Sequence, residues 1–325
     1  MTLGEIFKNG LILQRGKPVR VFGSSDTGAA ITFAGTTQTA PAGPFTVEFP
    51  AMDVGGPYTL TAVGDGQTCT VPDIYIGEVI LFSGQSNIQF RMSEGAIDPE
   101  PPVHDDMLRI FVSQRMEPEP LTPADGWVKA DPENIGKWSA IAYQTGRALR
   151  QRGIPVGVVV CAQGASVIQS WIDERRITGT ALDLPVDQRH GDRTCPRYAA
   201  WNADGALYHY MLERLFPFSF GKVVWYQGES NTSPAEGAVY DQLLAELISN
   251  WRACFRDPAL PFVIVQIADY EPAAEPGWKS VQAAQRRAAQ SIPHTVLVVS
   301  ADVCEKDMIH PVTKWKLAAR IADQL

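Results

Sequence analysis

Beyond Asp73 the chain repeats one pattern: a short continuous apolar run, then a longer stretch with apolar residues three and four apart. The runs fall at residues 78–82, 109–112, 156–161, 222–226, 262–267 and 295–300. Runs this short and rich in Val and Ile suit strands buried on both faces, and the stretches between them supply the helical crossovers that parallel strands require. Val239, Leu243, Leu247 and Trp251 mark one helical stripe ending near Cys254, and a last helix is expected from Val312 onward. The pattern predicts an α/β unit over residues 74–325, with a parallel sheet sandwiched by helices.

Residues 1–73 read differently. The segments VRVFG, AITFAG, FTVEF and YTLTAV alternate apolar and polar residues between Gly, Pro, Asp and Thr turns, which predicts a small all-β sandwich. This stretch holds no cluster of acids, bases or nucleophiles, so a supporting role is expected. Residues 93–132, rich in proline, and residues 178–194 read as long surface loops, which in compact domains often form walls or lids.

Composition narrows the function. The net charge of −8 comes without a basic block, so attraction to nucleic acid or to an anionic membrane by bulk electrostatics is not expected. No apolar run approaches the ~20 residues needed to span a bilayer. The opening MTLGEIFKNGLILQRGKP lacks the order of a signal peptide, so a cytoplasmic location is the expectation, or a secreted or periplasmic one if a leader has been removed. The five cysteines are scattered and never spaced as CxxC, against a disulfide framework or a zinc ribbon. There is no P-loop and no GxGxxG turn between strand and helix, so no nucleotide cofactor is expected. Oligomeric state is left open.

Four segments lie just after predicted strands, where an open parallel sheet forms its sites. Gly84-Gln85-Ser86-Asn87 offers a serine on a tight turn, though not the GxSxG elbow, since Ile88 stands in the last position. Gln163-Gly164-Ala165-Ser166 offers a glycine able to turn its N–H toward a ligand. Trp225 to Asn231 contains Gln227, a candidate amide donor, and Glu229, a second acid or an anchor. Asp307 and His310, three residues apart, offer an imidazole with an orienting carboxylate. Together they supply a nucleophile (Ser86), a base (His310), an acid (Asp307 or Glu229) and oxyanion donors (Gly164, Gln227 and the Ser86 N–H). Asp302, Cys304, Asp307 and His310 also lie close in sequence, but they follow no zinc or iron spacing, and no metal is expected. Trp171, Trp225 and Tyr226 could stack on sugar rings or belong to the core.

These motifs resemble those of the sialate O-acetylesterase-like carbohydrate acetylesterases of the SGNH (GDSL-like) hydrolase superfamily. The resemblance rests on Leu11 to Val19, Gly55 to Tyr58, Gly77-Glu78-Val79, Ser83 to Asn87, Gln163 to Trp171, Trp225 to Asn231, and Ile309-His310-Pro311 with Lys314. It implies an SGNH, flavodoxin-like sheet, with Ser86 as nucleophile, His310 as base, and Gly164 and Gln227 in the oxyanion hole. For the acid it offers Asp307 or Glu229, and Asp302 also resembles a family position. The activity implied is removal of O-acetyl groups from carbohydrates, sialic acids first, without a cofactor. Acetylxylan or another polysaccharide is the alternative substrate, and a glycan-binding module without turnover the alternative function.

Overall fold

The computed structural model describes residues 1–272 and 276–325. The chain opens with seven strands: β1 (Thr2–Leu3), β2 (Ile12–Gln14), β3 (Val19–Ser25), β4 (Ala29–Phe33), β5 (Thr36–Ala40), β6 (Gly43–Phe49) and β7 (Gly55–Gly64). β1, β3 and β6 form a three-stranded antiparallel sheet, and β4 pairs antiparallel with both β5 and β7. Alternation decides which faces meet. Val19 and Val21 of β3, Ile31 and Phe33 of β4, and Phe45, Val47 and Phe49 of β6 are all buried, while their neighbours in sequence are more exposed. Phe33 meets Phe49 edge-on at 5.8 Å and joins the two layers.

β8 (Gln67–Gly84) belongs to both halves of the molecule. Its first ten residues pair antiparallel with β7, and Tyr75 to Gly77 pair parallel with β2. Its last seven, Glu78 to Gly84, are uninterruptedly buried but for Glu78 and lie at the centre of the parallel sheet.

The rest of the chain runs α1 (Ser86–Gln89), β9 (Asp105–Val112), β10 (Val128–Ala130), α2 (Ala140–Arg150), β11 (Val156–Ala162), α3 (Ala199–Asn202), β12 (Lys222–Tyr226), α4 (Pro234–Cys254), β13 (Phe262–Val265), α5 (Gly277–Ser291), β14 (Thr295–Val298) and α6 (Lys314–Ala322). Across the sheet the order is β10-β9-β11-β8-β12-β13-β14, with β10 antiparallel and every other adjacent pair parallel. α4 packs on α5, and α2 on α6. All seven residues of β11 are buried, as expected of a parallel strand covered on both faces.

Counted in chain order, the parallel strands lie 2-3-1-4-5-6. This departs from the 2-1-3-4-5 order of flavodoxin because β11 inserts between β8 and β9. β8 nevertheless sits at a switch point, flanked by β11 on one side and β12 on the other, so a crevice opens beyond its carboxyl end. β13 ends sooner than its apolar run, because the Ile267 N–H turns to Oε1 of Gln285 on α5 at 3.0 Å. Among the described residues no helix is long and apolar enough to cross a membrane.

Candidate active site

The turn that leaves β8 can be made only by glycine. Gly84 has φ +136, and a Cβ there would lie 2.0 Å from the Tyr226 carbonyl oxygen of β12. This close passage, sealed by the Gln85 N–H donating to the same carbonyl at 3.1 Å, turns the chain sharply upward and presents Ser86 as the first residue of α1. The N–H of that position has no intrahelical partner, so it is free to meet an acceptor from outside the helix.

Ser86, Gly164, Glu229 and His310 line one cavity of about 570 Å³ over the carboxyl ends of β8, β11 and β12. Four segments far apart in sequence therefore converge. Ser86 and His310 are each half-buried, accessible from the cavity. Glu229 is only 5% exposed. Gly164 abuts the nucleophile turn: a Cβ on it would stand 3.7 Å from that of Ser86 and 2.9 Å from Oε1 of Gln89. The residue in left-handed conformation is its neighbour Ala165, at φ +51.

The carboxylates divide sharply. Asp307 is exposed, is absent from the cavity wall, and makes no hydrogen bond or ion pair to His310 among the described residues. The physical reason is local: a three-residue spacing aligns two side chains on a helical turn, whereas residues 304–313 form bends. That segment is tied instead by Glu305, whose carboxylate accepts from the backbone N–H and the hydroxyl of Thr313. Asp302 is engaged at the surface by both guanidinium nitrogens of Arg320. Glu229 alone among the three faces the cavity. Its Oε1 accepts from Nδ2 of Asn87 at 2.6 Å, and its buried Oε2 has no partner among the described residues. Burial raises its pKa above the usual carboxylate value, and Asn87 and Lys314 oppose that shift.

Asn87 is the junction of the site. Besides Glu229, its Nδ2 donates to the Ile309 carbonyl at 3.1 Å, and its Oδ1 accepts from Nζ of Lys314 at 2.5 Å. Lys314, the first residue of α6, is fully buried, with its ammonium over the rings of Phe90 (5.2 Å) and Tyr226 (5.7 Å). Burial pushes its pKa down to about 8. His310 is likewise shifted below its ordinary value, first by burial and then by the Lys314 charge, with Glu94 opposing. A neutral imidazole is the form a general base needs.

The oxyanion candidates are unequal. The Gly164 N–H donates to Oε1 of Gln89 at 2.8 Å, so a ligand oxygen has to replace that contact. Gln227 is fully buried and not on the wall. Its Nε2 donates to the Ser166 carbonyl at 2.9 Å and to Oδ1 of Asn231 at 2.8 Å, and its Oε1 accepts from the Tyr240 hydroxyl at 2.6 Å. The amide is thus consumed in holding the turns after β11 and β12 to each other and to α4, and the structure does not bring it to the cavity.

The remaining wall comes largely from residues that no motif marks. His190 and Asp192 reach it from the 178–194 loop, with Asp192 accepting from the Ser230 hydroxyl at 2.7 Å. Two aromatic pairs flank it, Tyr198 with Trp201 at 5.6 Å and Tyr270 with Trp278 at 5.7 Å. Trp171, Trp225 and Tyr226 are buried in the core instead. Among the described residues no group of three or more His, Cys, Asp or Glu is arranged to hold a metal ion.

The profile of the family described as carbohydrate esterase, sialic acid-specific acetylesterase, matches residues 76–325. The chain is similar to the sialate O-acetylesterase of Mus musculus, 26% identical over 344 residues, covering 88% of this chain and 63% of the relative. It is also similar to that of Homo sapiens, 26% identical over 310 residues, covering 83% and 57%. The chain therefore spans about three fifths of the curated relatives it matches. Among solved structures it resembles a carbohydrate acetylesterase from Xanthomonas citri, with a TM-score of 0.82, 30% identity, and coverage of 99% of this chain and 74% of that one. With a matched profile extending from the middle of β8 to the end of α6, across every strand and loop that builds the cavity, the chain belongs to the sialic acid-specific acetylesterase family of carbohydrate esterases.

Proposed function

We propose that this chain is a serine esterase that removes O-acetyl groups from carbohydrates, sialic acids first, through an acetyl-enzyme intermediate. The observation that carries the reading is that Ser86 and His310, from opposite ends of the α/β portion, line one cavity. Ser86 Oγ attacks the acetyl carbonyl while His310 takes its proton. The imidazolium passes that proton to the departing sugar oxygen. Water, activated by the same imidazole, then releases acetate and restores the serine. The oxyanion is received by the N–H groups of Ser86 and Gly164, the latter after Gln89 yields its place. Glu229, through Asn87, anchors the nucleophile turn.

The cavity volume lies within the range of small-molecule sites, and its aromatic pairs suit the apolar faces of a sugar ring. The name of the family and of the mammalian relatives supports sialic acid as the substrate class. One observation favours a second reading, a neutral acetylated polysaccharide such as xylan. Among the described residues the wall carries three carboxylates, Glu117, Asp192 and Glu229, against the one guanidinium of Arg197.

The fold is read as a variant of the SGNH arrangement, supported by the nucleophile after the first parallel strand and the histidine before the last helix. Residues 1–73 are read as a supporting domain, since none of them lines the cavity. The deciding experiment is acetate release from a panel of O-acetylated sialic acids and acetylated xylo-oligosaccharides. Faster release from the sialic acids is expected. Faster release from the xylo-oligosaccharides selects the second reading, and binding without release from any of them rejects an esterase.

A further inference from the structure

The mechanism leaves unused a fully buried charge directly beneath the site. Lys314 has its ammonium beneath the site, between two aromatic faces, in a position where an apolar side chain of similar length would avoid the cost of desolvating a cation. Its hydrogen-bond partner is the Asn87 side chain, and Asn87 has no freedom in how it satisfies its neighbours. An ammonium can only donate, so Oδ1 must face Lys314. The Glu229 carboxylate and the Ile309 carbonyl can only accept, so Nδ2 must face them. Asn87 directly follows the nucleophile, and Ile309 directly precedes the base.

We propose that Lys314 is a positioning residue for the esterase reaction: by fixing the Asn87 amide it locks the Ser86 turn to the segment carrying His310. This inference rests on the serine-esterase reading above. Phe90 also packs on the His310 ring, 6.1 Å between centroids, but the Asn87 side chain supplies the directional polar tie between these segments, and a misplacement of about 1 Å can cost about 100-fold in rate. The same ammonium stands near His310 and disfavours a second cation there, which keeps the imidazole in its basic form. Among the described residues Glu94 opposes that effect, and the cavity wall that His310 shares also carries Glu117, His190, Asp192, Arg197, Tyr198, Glu229 and Tyr270.

The test compares wild type, Ser86→Ala, Lys314→Met and Asn87→Asp in aryl acetate hydrolysis across pH, with thermal unfolding to establish folding. Lys314→Met, which keeps the length and loses the charge, is expected to lower kcat about 10- to 100-fold with little change in KM. It is also expected to move the acidic limb of kcat/KM to higher pH, because His310 loses a cation that holds its pKa down. A folded Lys314→Met with the wild-type kcat and the wild-type acidic limb overturns the role of Lys314. If that variant fails to fold, Asn87→Asp decides. It still accepts from Lys314 but has no donor for Glu229 or Ile309, so a comparable fall in kcat is expected, and an unchanged kcat overturns the proposal. Ser86→Ala separates the two levels: full activity in that variant rejects the serine reading itself, whereas its inactivity beside a wild-type-like Lys314→Met rejects only the positioning role.

Discussion

Nδ2 of Asn87 donates to Oε1 of Glu229 across 2.6 Å, tying the residue after the nucleophile to the turn after β12. Glu229 is thereby built into the site, while Asp307 stands in solvent without a partner among the described residues. Glu229→Gln removes the charge from this hydrogen bond, and charge-assisted bonds are about twice as strong as neutral ones. A fall in kcat of about five- to tenfold is expected for Glu229→Gln, against less than about twofold for Asp307→Asn. Steady-state kinetics on both variants checks this. The reverse ranking would restore Asp307 as the orienting acid.

The acidity of His310 fixes one limb of the pH profile. Its pKa lies below the ordinary value of 6.5, because burial and Lys314 both disfavour the imidazolium. A lowered pKa keeps the base neutral to lower pH. The acidic limb of kcat/KM, which reports the free enzyme, is therefore expected at a pH below 6.5. An acidic limb above 6.5 would show that the base has a different environment or a different identity.

Gly84 makes a prediction about stability. Any side chain there combines a left-handed backbone with a Cβ 2.0 Å from the Tyr226 carbonyl oxygen. Strain and overpacking together give an expected loss of about 2–6 kcal/mol for Gly84→Ala in urea unfolding. A loss under about 0.5 kcal/mol would mean that β8 and β12 do not pass each other this closely.

The aromatic wall separates sugar binding from chemistry. Tyr198 lines the cavity beside Trp201 and has no part in the acyl-transfer steps. Tyr198→Ala is expected to raise KM for an acetylated sugar about two- to tenfold, the effect of losing one stacking partner, with kcat on a small aryl acetate unchanged. Equal effects on both substrates would argue that Tyr198 shapes the site and does not contact the sugar.

How much of this was legible in the sequence depends on the kind of signal. The buried strands are legible, and so are the cavity positions of Ser86, Gly164 and Glu229, because a polar residue just past an apolar run lies at a sheet's carboxyl edge, whereas His310 stands well beyond β14 and reaches the same cavity through a bent segment. The continuity of β8 through Asp73 is hidden, since Pro72 and Asp73 are residue types that favour turns over strands, and here Asp73 sits within the strand at φ +58. Strand β10, three residues long, offered too little pattern to detect. Position in sequence also does not say which way a side chain points. Gln227 follows its strand just as Glu229 does, yet its amide is spent inside on Ser166, Asn231 and Tyr240. Asp307 precedes His310 by three residues, a spacing that pairs side chains on a helical turn, but this segment bends instead. His190, Asp192, Tyr198 and Trp201 lie in and just beyond a loop with no periodicity, and only the folded chain brings them to the wall.

The most direct measurement is mass spectrometry of protein quenched during turnover of an aryl acetate, wild type beside Ser86→Ala. A serine mechanism predicts the mass of one acetyl group on the wild-type peptide carrying Ser86, no such adduct in Ser86→Ala, and a loss of about three or more orders of magnitude in kcat in that variant. Folded Ser86→Ala that hydrolyses the ester at the wild-type rate, or an acetyl group found on a different residue, would contradict it.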